Sequence, residues 1–386
     1  MQGTRWHERQ VQARLQVREV LIIAGEASGD LHASGFANAL KRLRPDLTMA
    51  GVGGVRMEQA GVTLIERAER IAVMGFVEVI RHVPRHYALL SQLKRRLKSG
   101  SVALLVVIDY PGFNMKLAAA AKDAGVPVLY YITPQVWAWG AGRLSELARI
   151  VTRAAPILPF EEPLLKQHGI NATFVGHPLL DRIDEMPDRA EARHILGLRD
   201  SDRVLALFPG SRTQEIDRLL DDFVSTAKIL ESKIPGLRVI VSAASTVTID
   251  PARCPYPRVP SASFTVLRAA DAALCKSGTT TLEAAVAGCP LVVAYKTSKW
   301  TYAIARRVVK IPHIGLVNVV AGREVAQEFV QDAVVPERVA DALLPLLNPT
   351  DRRRSVMLDG LAEVRSRLGT PGAAERVAAI ASELAA

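Results

Sequence analysis

Short apolar runs alternate along the chain with segments whose apolar residues recur every three or four positions. The short runs predict buried strands, and the periodic segments predict amphipathic helices. In the first half the predicted strands are Val20–Ala24, Val102–Ile108 and Val128–Ile132, with helical patterns at Gly35–Leu43, Tyr87–Leu97 and Met115–Ala124. In the second half they are Val204–Phe208, Val239–Val241, Ala272–Leu274 and Leu291–Val293, again with helical patterns between them. This alternation favours an α/β fold with parallel, doubly wound sheets.

The length of the chain, 386 residues, indicates more than one domain. A single core usually stops growing below this size, so two facing Rossmann-like domains are expected, joined near Gly176–Asp188. The predicted division is a loose extension over 1–17, a first domain over 18–180, a second over 181–350, and a helical segment over 351–386 that can pack back on the first domain.

Composition narrows the class of protein. Apolar residues make up 49% of the chain and aromatic residues 5%, which predicts a large aliphatic core. The three cysteines lie far apart without CxxC spacing, which favours a reducing compartment and argues against a zinc site. Residues 1–17 lack the apolar segment of a signal peptide, and no run of 18 apolar residues predicts a membrane span.

The net charge of +10 suits nucleic acid, an anionic membrane face or phosphorylated substrates. Basic residues cluster at 94–98 and at 299–310, each beside aliphatic and aromatic residues in helical spacing. Such helices suit an anionic membrane surface, although for the first cluster a solvated helix face is the favoured interpretation. No helix-turn-helix, zinc-finger or stacking-aromatic motif favours the alternative of a nucleic-acid-binding protein.

The stretch "FPGSRTQE" follows the predicted strand Val204–Phe208 and predicts a helix that begins at Ser211. A strand, a tight glycine turn and a helix N-terminus place unpaired backbone N–H groups where an anion can bind. Arg212 adds a positive charge that can bind an anion through two hydrogen bonds. An ordinary capped junction with a solvated arginine is the alternative.

A second stretch, "KSGTTTLEAAVAGCP", follows the strand Ala272–Leu274 and predicts another helix N-terminus facing the same crevice. Two such termini can hold a diphosphate without a metal ion. Glu283 lies one turn into the predicted helix and can accept hydrogen bonds from a ribose diol. The stretch lacks both GxGxxG and GxxxxGK[ST], so neither an NAD fingerprint nor a Walker loop is present.

In the first half, the loops "AGEASGD", "DYPGFN" and "TPQVWAWG" also follow predicted strands. Asp109 emerges from a buried strand, where a half-buried carboxylate would gain basicity, although an aspartate that caps a turn is the alternative. Asp200 and Asp202 have the DxD spacing of metal-dependent glycosyltransferases, but they precede a strand and are interpreted as a solvated turn. His177 adjoins the predicted domain join and is interpreted as a hinge residue.

The apolar stretch Ile71–Val83 has two interpretations. As a core helix it would be ordinary, whereas in an enzyme of acylated substrates it would meet the acyl chains and the edge of the bilayer. The residues expected to face lipid are Val73, Met74, Phe76, Val77 and Ile80.

Eight blocks of this sequence, in this order, resemble the lipid-A-disaccharide synthase family of bacterial glycosyltransferases. The blocks are "AGEASGDLHA", "MGFVEVI", "DYPGFN", "YYITPQVWAWG", "VGHPLLD", "FPGSRTQEI", "SGTTTLEAA" and "GLVNVVAGREV", and they span Val20 to Pro345. The sequence departs from the family pattern at Val317, where proline is expected, and at Cys275-Lys276 before the second glycine loop.

The resemblance implies a GT-B architecture with the active site in the cleft between two domains. It also implies an inverting transfer of diacylglucosamine from UDP onto diacylglucosamine 1-phosphate, with release of UDP and with no cofactor or metal ion. The implied catalytic residues are Asp109, as general base, and Arg212, at the UDP diphosphate. The implied substrate-binding residues are Glu26, Ser28, Asp30, Gly210, Ser211, Glu215, Ser277, Gly278, Thr279, Thr280, Glu283 and Asn318.

The expected location is the cytoplasm, with peripheral association at the anionic inner face of the bacterial inner membrane, and a homodimer is a further expectation. The principal alternative function is a UDP-sugar epimerase of the same architecture. An epimerase needs paired acid and base groups around the sugar and no surface that faces lipid, so the apolar stretch Ile71–Val83 argues against it.

Overall fold

In the computed structural model the described residues are 18–70, 76–139, 142–244, 247–298, 300–302 and 312–386, with side chains excepted at 76–83, 138–139 and 243. The chain forms two compact units. The first consists of the residues up to Pro178 together with the C-terminal segment Thr370–Ala386, and the second consists of Leu179–Gly369. The boundary between them falls inside the stretch Gly176–Asp188 that carries the predicted join.

The first unit contains one parallel sheet of six strands in the order β3-β2-β1-β4-β5-β6. The strands are β1 (Glu19–Ala24), β2 (Thr48–Gly53), β3 (Thr63–Arg67), β4 (Val102–Ile108), β5 (Val128–Tyr131) and β6 (Arg153–Ala155). The helices are α1 (Ala27–Leu43), α2 (Val55–Gln59), α3 (Phe76–Leu97), α4 (Pro111–Asp123), α5 (Val136–Trp139), α6 (Gly142–Ile150) and α7 (Glu161–Gln167), with a 3-10 turn at Ala68–Arg70. Buried aliphatic clusters cover both faces of the sheet.

The second unit repeats this plan with the strand order β9-β8-β7-β10-β11-β12. The strands are β7 (Val204–Phe208), β8 (Arg238–Ala243), β9 (Arg258–Pro260), β10 (Ala272–Lys276), β11 (Leu291–Tyr295) and β12 (Glu328–Val330). The helices are α8 (Arg189–Ile195), α9 (Thr213–Lys233), α10 (Ser263–Ala269), α11 (Thr280–Ala287), α12 (Leu316–Ala321), α13 (Pro336–Leu347) and α14 (Arg352–Arg367), with 3-10 turns at Pro178–Glu185 and Gln331–Ala333.

The prediction of two doubly wound, Rossmann-like sheets is confirmed, and all seven predicted strands are present. The strands that the sequence analysis did not predict are β2, β3, β6, β9 and β12. Several of them are short or only half-buried, so they lack a continuous apolar run.

The C-terminal segment divides between the two units. Helix α14 packs on α11 and α12 in the second unit, whereas α15 (Ala373–Leu384) packs on α1 in the first. Arg42 pairs with Glu375 at 2.9 Å, and the Arg376 Nε atom donates to the Val175 carbonyl at 2.8 Å. The predicted return to the first domain over 351–386 is therefore corrected to its last helix, because α14 completes the core of the second unit.

Each sheet reverses its strand order beside its first strand. In doubly wound sheets, ligands bind outside the carboxyl ends of the strands at this reversal. In the first unit the reversal lies between β1 and β4, where Ala24 pairs with Ile108. In the second unit it lies between β7 and β10, where Phe208 pairs with Cys275. The loops that follow these four strands are those singled out from the sequence.

Candidate active site

Asp109 and Tyr110 follow β4 with a backbone that L-residues rarely adopt, since their φ angles are +46° and +49°. Each such conformation costs on the order of 1–3 kcal/mol and persists only where the surroundings enforce it. Here the Asp109 N–H donates to the Tyr131 and Ile132 carbonyls, each at 3.2 Å. Its carbonyl accepts from Asn114 Nδ2 at 2.7 Å and from Tyr130 Oη at 2.9 Å. These four bonds fix the direction in which the Asp109 side chain leaves the sheet.

Asp109 is exposed to solvent, but the surrounding protein excludes part of the water that hydrates a free carboxylate. Burial raises the pKa of Asp109 above its usual value, and the negative charge of Glu26 raises it further. Glu26 is the residue directly before α1, at the end of β1. The structure therefore brings Glu26 and Asp109 together at the strand reversal of the first unit.

Tyr110 completes this edge of the first sheet. Its ring covers Gly25, where a Cβ atom would overlap the ring, so glycine is required at position 25. The hydroxyl of Tyr110 lies 3.0 Å from His86 Nε2, and its ring lies 6.1 Å from that of Phe113. Beside it a groove of about 180 Å³ opens, lined by His86, Tyr87, Leu90, Tyr110, Gly112, Phe113 and Lys116. The sequence analysis did not find this groove, because its residues come from both α3 and α4.

A buried carboxyl that the sequence analysis also missed lies near Asp109. Glu161 Oε1 accepts from Trp137 Nε1 at 3.0 Å, and its Oε2 accepts from the Leu158 N–H at 3.0 Å. Burial raises the pKa of Glu161 to about 7; these hydrogen bonds oppose the rise, and Asp109 adds to it. Two adjacent glutamates after an apolar run read as a solvated helix start, and only the fold reveals that Glu161 is inside.

Two of the predicted acceptor-side residues have other positions than expected. The predicted loop Ala24–Asp30 is short, because α1 already begins at Ala27. Ser28 is exposed in the first turn of α1. Asp30 is buried and accepts hydrogen bonds from the backbone N–H groups of Gly54 at 2.7 Å, Arg56 at 3.2 Å and Met57 at 3.1 Å. The carboxylate of Asp30 therefore caps α2, and its binding to substrate stays a prediction.

His177, at the end of the first unit, is buried. Burial lowers its pKa to about 3, and His32 adds to this effect, so the imidazole is neutral at physiological pH. A neutral buried ring agrees with the structural interpretation of this residue.

At the strand reversal of the second unit, the turn after β7 carries Gly210, Ser211 and Arg212. Helix α9 begins at Thr213, two residues later than predicted, and Arg212 is its N-cap residue. The Ser211 N–H donates to Glu215 Oε2 at 2.9 Å. Ser211 and Arg212 are exposed, so the first turn of α9 is open to solvent.

The glycine loop after β10 stands beside this turn. Glu215 Oε1 lies 2.8 Å from Lys276 Nζ and 3.8 Å from Arg212 Nη1, so Glu215 joins the two loops. Among the described residues no acceptor lies within hydrogen-bond distance of the N–H groups of Gly278, Thr279 and Thr280. Ser277 is already used by the fold: its N–H donates to the Ala294 carbonyl at 3.0 Å and its hydroxyl to the Ile314 carbonyl at 2.7 Å.

Glu283 is half-buried on α11 and accepts a hydrogen bond from Ser263. Burial raises its pKa, and the nearby Arg182 opposes this effect. The hydrogen bond from Ser263 therefore connects the Glu283 carboxylate to α10.

Asn318, which the resemblance implies in substrate binding, is hydrogen-bonded within the fold, and its role at the substrate stays a prediction. Its buried side chain donates to the Ala326 carbonyl at 2.6 Å and to Glu328 at 2.8 Å, and its Oδ1 accepts from the Val325 and Ala326 N–H groups. The Glu328 carboxylate in turn accepts from the N–H groups of Ile314 and Gly315, before α12. Asn318 therefore holds the segment that supports the Ser277 loop.

The residues expected to face lipid lie outside what is described. Val73 and Met74 fall in the undescribed range 71–75, and Phe76, Val77 and Ile80 lie on α3 without described side chains. None of the helices in the described part of the chain combines the length and apolar character of a membrane-spanning segment.

The aspartate pair Asp200 and Asp202 lies before β7, at the opposite end of that strand from Arg212. Asp202 accepts from Arg199 Nε at 3.0 Å and from the Arg199 N–H at 2.9 Å, within a turn. Across the described residues no group of three histidine, cysteine or acidic side chains is placed to hold a metal ion.

The family model of lipid-A-disaccharide synthetase matches residues 20–376 of this chain. This chain belongs to the lipid-A-disaccharide synthetase family. The lipid-A-disaccharide synthase of Syntrophus aciditrophicus is 43% identical over 373 residues, 95% of this chain and 97% of that protein. That of Myxococcus xanthus is 41% identical over 373 residues, again 95% of this chain and 97% of that protein.

Membership in the lipid-A-disaccharide synthetase family makes this chain a glycosyltransferase of lipid A biosynthesis that forms the lipid A disaccharide. The family implies a UDP-sugar and a lipid acceptor as substrates. The resemblance inferred from the eight sequence blocks is thus confirmed, as is the predicted class of enzyme.

Solved structures of similar fold include both glycosyltransferases and epimerases. The calicheamicin glycosyltransferase CalG4 superposes with a TM-score of 0.61 at 14% identity, covering 95% of this chain and 98% of that one. A UDP-GlcNAc 2-epimerase of Neisseria meningitidis bound to UDP-GlcNAc has the same TM-score at 12% identity, covering 95% and 100%. At these identities the likeness shows the GT-B fold alone.

Proposed function

We propose that the enzyme transfers diacylglucosamine from UDP onto the hydroxyl of diacylglucosamine 1-phosphate, with inversion at the sugar and release of UDP. One observation carries the proposal: the strand reversals of the two sheets have complementary chemistry. The first has two carboxylates in contact with solvent, Glu26 and Asp109, and the second has Arg212 with two helix N-termini. An inverting transfer needs both a base for the acceptor and a binding site for the departing diphosphate.

In this proposal Asp109 is the general base. A carboxylate with a raised pKa accepts a proton more readily from a sugar hydroxyl than an ordinary carboxylate does. The fixed backbone around Asp109 supports this role, because a base must be held at hydrogen-bond distance from the proton that it removes. Glu26 and Ser28, on the same edge of the sheet, then contact the acceptor sugar.

The donor is proposed to bind at the second reversal. Gly210, Ser211 and Arg212 would contact the diphosphate from one loop, and Ser277, Gly278, Thr279 and Thr280 from the other. The open N–H groups at the start of α11 support this, because the N-terminus of a helix favours an anion. Glu215 and Glu283 are both carboxylates, which do not bind a diphosphate directly. Glu215 is therefore proposed to position the cations, and Glu283 to accept hydrogen bonds from the ribose diol.

An apolar groove supports a lipid acceptor. The groove beside Tyr110 adjoins the proposed base and is lined mainly by apolar and aromatic side chains. Lys116, whose ammonium lies 5.8 Å from the Tyr87 ring centre, stands at its edge. An acyl chain in this groove would place its sugar near Asp109 and its phosphate within reach of a cation.

We further propose peripheral association with the anionic cytoplasmic face of the bacterial inner membrane. Support comes from exposed Lys94, Arg95 and Lys98 at the end of α3, the helix that begins in the apolar stretch Ile71–Val83. Arg96 is not available to this surface in the same way, because it pairs with Glu19. In the second cluster Trp300 is 84% exposed, and the basic residues Lys299, Arg306, Arg307 and Lys310 lie outside the described part. The homodimer stays a prediction.

One incubation tests the proposed reaction against its alternatives. The enzyme is mixed with UDP-diacylglucosamine, with and without diacylglucosamine 1-phosphate, and the products are separated by chromatography and identified. Disaccharide 1-phosphate and UDP, formed only when the acceptor is present, are expected. An epimerised donor without release of UDP would replace the proposal with the epimerase, and no turnover of either kind would contradict both.

A further inference from the structure

Glu215, which the resemblance implies in substrate binding, contacts Lys276, which it does not. Lys276 is the last residue of β10, one of the two positions where this chain departs from the family pattern. Its ammonium lies 2.8 Å from Glu215 Oε1, on the first turn of α9. The two side chains are 20% and 14% exposed, so the ion pair is largely shielded from water but still reached by it.

The surroundings of this pair are those of an anion site. The second oxygen of Glu215 is bound by the Ser211 N–H, and its first oxygen is also 3.8 Å from Arg212. The two oxygens of the Glu215 carboxylate are thus held by Lys276 on one side and by a backbone N–H on the other, with Arg212 nearby. The same groups are donors that an oxygen of a phosphate would use.

Lys276 also faces the second loop. Apart from the adjacent residues of the chain, a Cβ atom built on Gly278 would meet, among the described residues, Lys276 Nζ alone within 4 Å, at 3.7 Å. The space above Gly278 is therefore open, and the ammonium stands at its edge, next to the N–H groups that begin α11. An ammonium has three N–H donors, and Glu215 takes one of them.

We propose that Lys276 is a second cation for the diphosphate of the donor, placed between the two helix N-termini, and that Glu215 positions its ammonium there. This deepens the proposed function and rests on it, since it takes the donor to be a nucleoside diphosphate sugar. Arg212 and Lys276 together supply two positive charges from two loops, which matches the charge of a diphosphate diester. Glu215 keeps the two cations apart and oriented while the site is empty.

The test is the affinity for UDP and for uridine, measured as competitive inhibition constants with the full-length enzyme. Lys276→Met is expected to weaken the binding of UDP at least about tenfold, the usual effect of losing a hydrogen bond between charged groups. The affinity for uridine is expected to stay unchanged. Lys276→Arg should restore part of the loss. Melting curves establish that each variant is folded.

Lys296→Met is the matched control. Lys296 is 26% exposed, and its ammonium pairs at 2.6 Å with Asp222, which also lies on α9 but two helical turns further on, about 10 Å along its axis. This control is expected to bind UDP as the unchanged enzyme does. Equal loss in both variants, an equal loss for uridine, or no loss in Lys276→Met would overturn the role of Lys276. If the unchanged enzyme itself does not bind UDP, the proposed donor fails as well.

Discussion

Asp109 illustrates at the scale of one residue how the fold prepares a base. Asparagine is among the residues that best tolerate a positive φ, so Asp109→Asn should keep the strained turn. We expect it to keep the melting temperature and UDP affinity and to lower kcat by at least roughly 10²-fold, the usual contribution of general-base catalysis. Asp200→Asn, at the other end of the second sheet, is the control and should retain activity. Near-normal turnover in Asp109→Asn would remove Asp109 from the mechanism.

The neighbouring Glu26 gives this base a testable pH signature. A negative charge close to Asp109 disfavours ionisation and raises the pKa of Asp109, so its removal must lower that pKa. In Glu26→Gln we therefore expect the acidic limb of the pH profile of kcat/KM to move to lower pH, whatever the loss in rate. A limb that stays in place would show that Asp109 is not the group observed or that Glu26 does not act on it.

Arg212 is expected to affect turnover rather than folding. It is an exposed N-cap residue, and its ion-pair contact with Glu215 is long, at 3.8 Å. Such a surface pair contributes about 0–1 kcal/mol, and a cation at a helix N-terminus is mildly unfavourable, so Arg212→Ala should change stability by less than about 1 kcal/mol.

The same substitution removes a contact to the departing diphosphate, worth roughly 3 kcal/mol by analogy with deletion of single donors, or about 10²-fold in turnover. Arg212→Lys should recover only part, because an ammonium cannot form the paired hydrogen bonds of a guanidinium. Turnover at saturating donor, measured together with a melting curve, distinguishes a role in turnover from a role in folding. An early-melting Arg212→Ala whose folded fraction is fully active would make Arg212 structural.

At the scale of elements, Glu161 ties the start of α7 to α5 through Trp137. When the pKa of a carboxyl is higher in the folded state than in the unfolded state, the free energy of unfolding falls as the pH rises. Well below pH 4.5 both states hold the proton, between about 4.5 and 7 the unfolded state releases it first, and the loss is complete only about one pH unit above 7. The full loss is on the order of 3 kcal/mol.

Glu161→Gln cannot titrate, so we expect the stability of the unchanged enzyme, relative to this variant, to fall between pH 4.5 and 8. Urea unfolding at several pH values measures the difference. Glu162→Gln is the control, because Lys166 lowers the pKa of Glu162 and its effect has the opposite sign. A relative stability that does not change with pH would mean that Glu161 is not buried as a shifted carboxyl.

At the scale of the whole molecule, the proposed chemistry needs no metal ion. Two helix N-termini with Arg212 and Lys276 provide positive charge for the diphosphate. Activity should therefore survive excess EDTA, in assays with and without added magnesium. If chelation abolished turnover and magnesium or manganese restored it, the pair Asp200 and Asp202 would have to be reconsidered as a metal site.

The sequence by itself determined the architecture and the positions of the site loops. The seven strands recognised as apolar runs include the central four, β1, β4, β7 and β10, whose carboxyl ends carry Glu26, Asp109, Arg212 and Lys276. These signals are local, because a strand buried on both faces must be apolar along its length and the turn after it must be polar. Edge strands such as β3 and β12 carry no such constraint and were missed.

Only the tertiary structure decided which polar residues in those loops are open to a ligand. Asp30 and Asn318 carry side chains that are typical of binding sites, yet each is consumed by hydrogen bonds within the fold. Glu161 and Lys276 gave no comparable signal, yet the charge of Asp109 acts on Glu161, and Lys276 shares Glu215 with Arg212. The reason is physical: a side chain is committed or available according to partners brought near by folding, and the partner of Lys276 lies on another helix, far away along the chain.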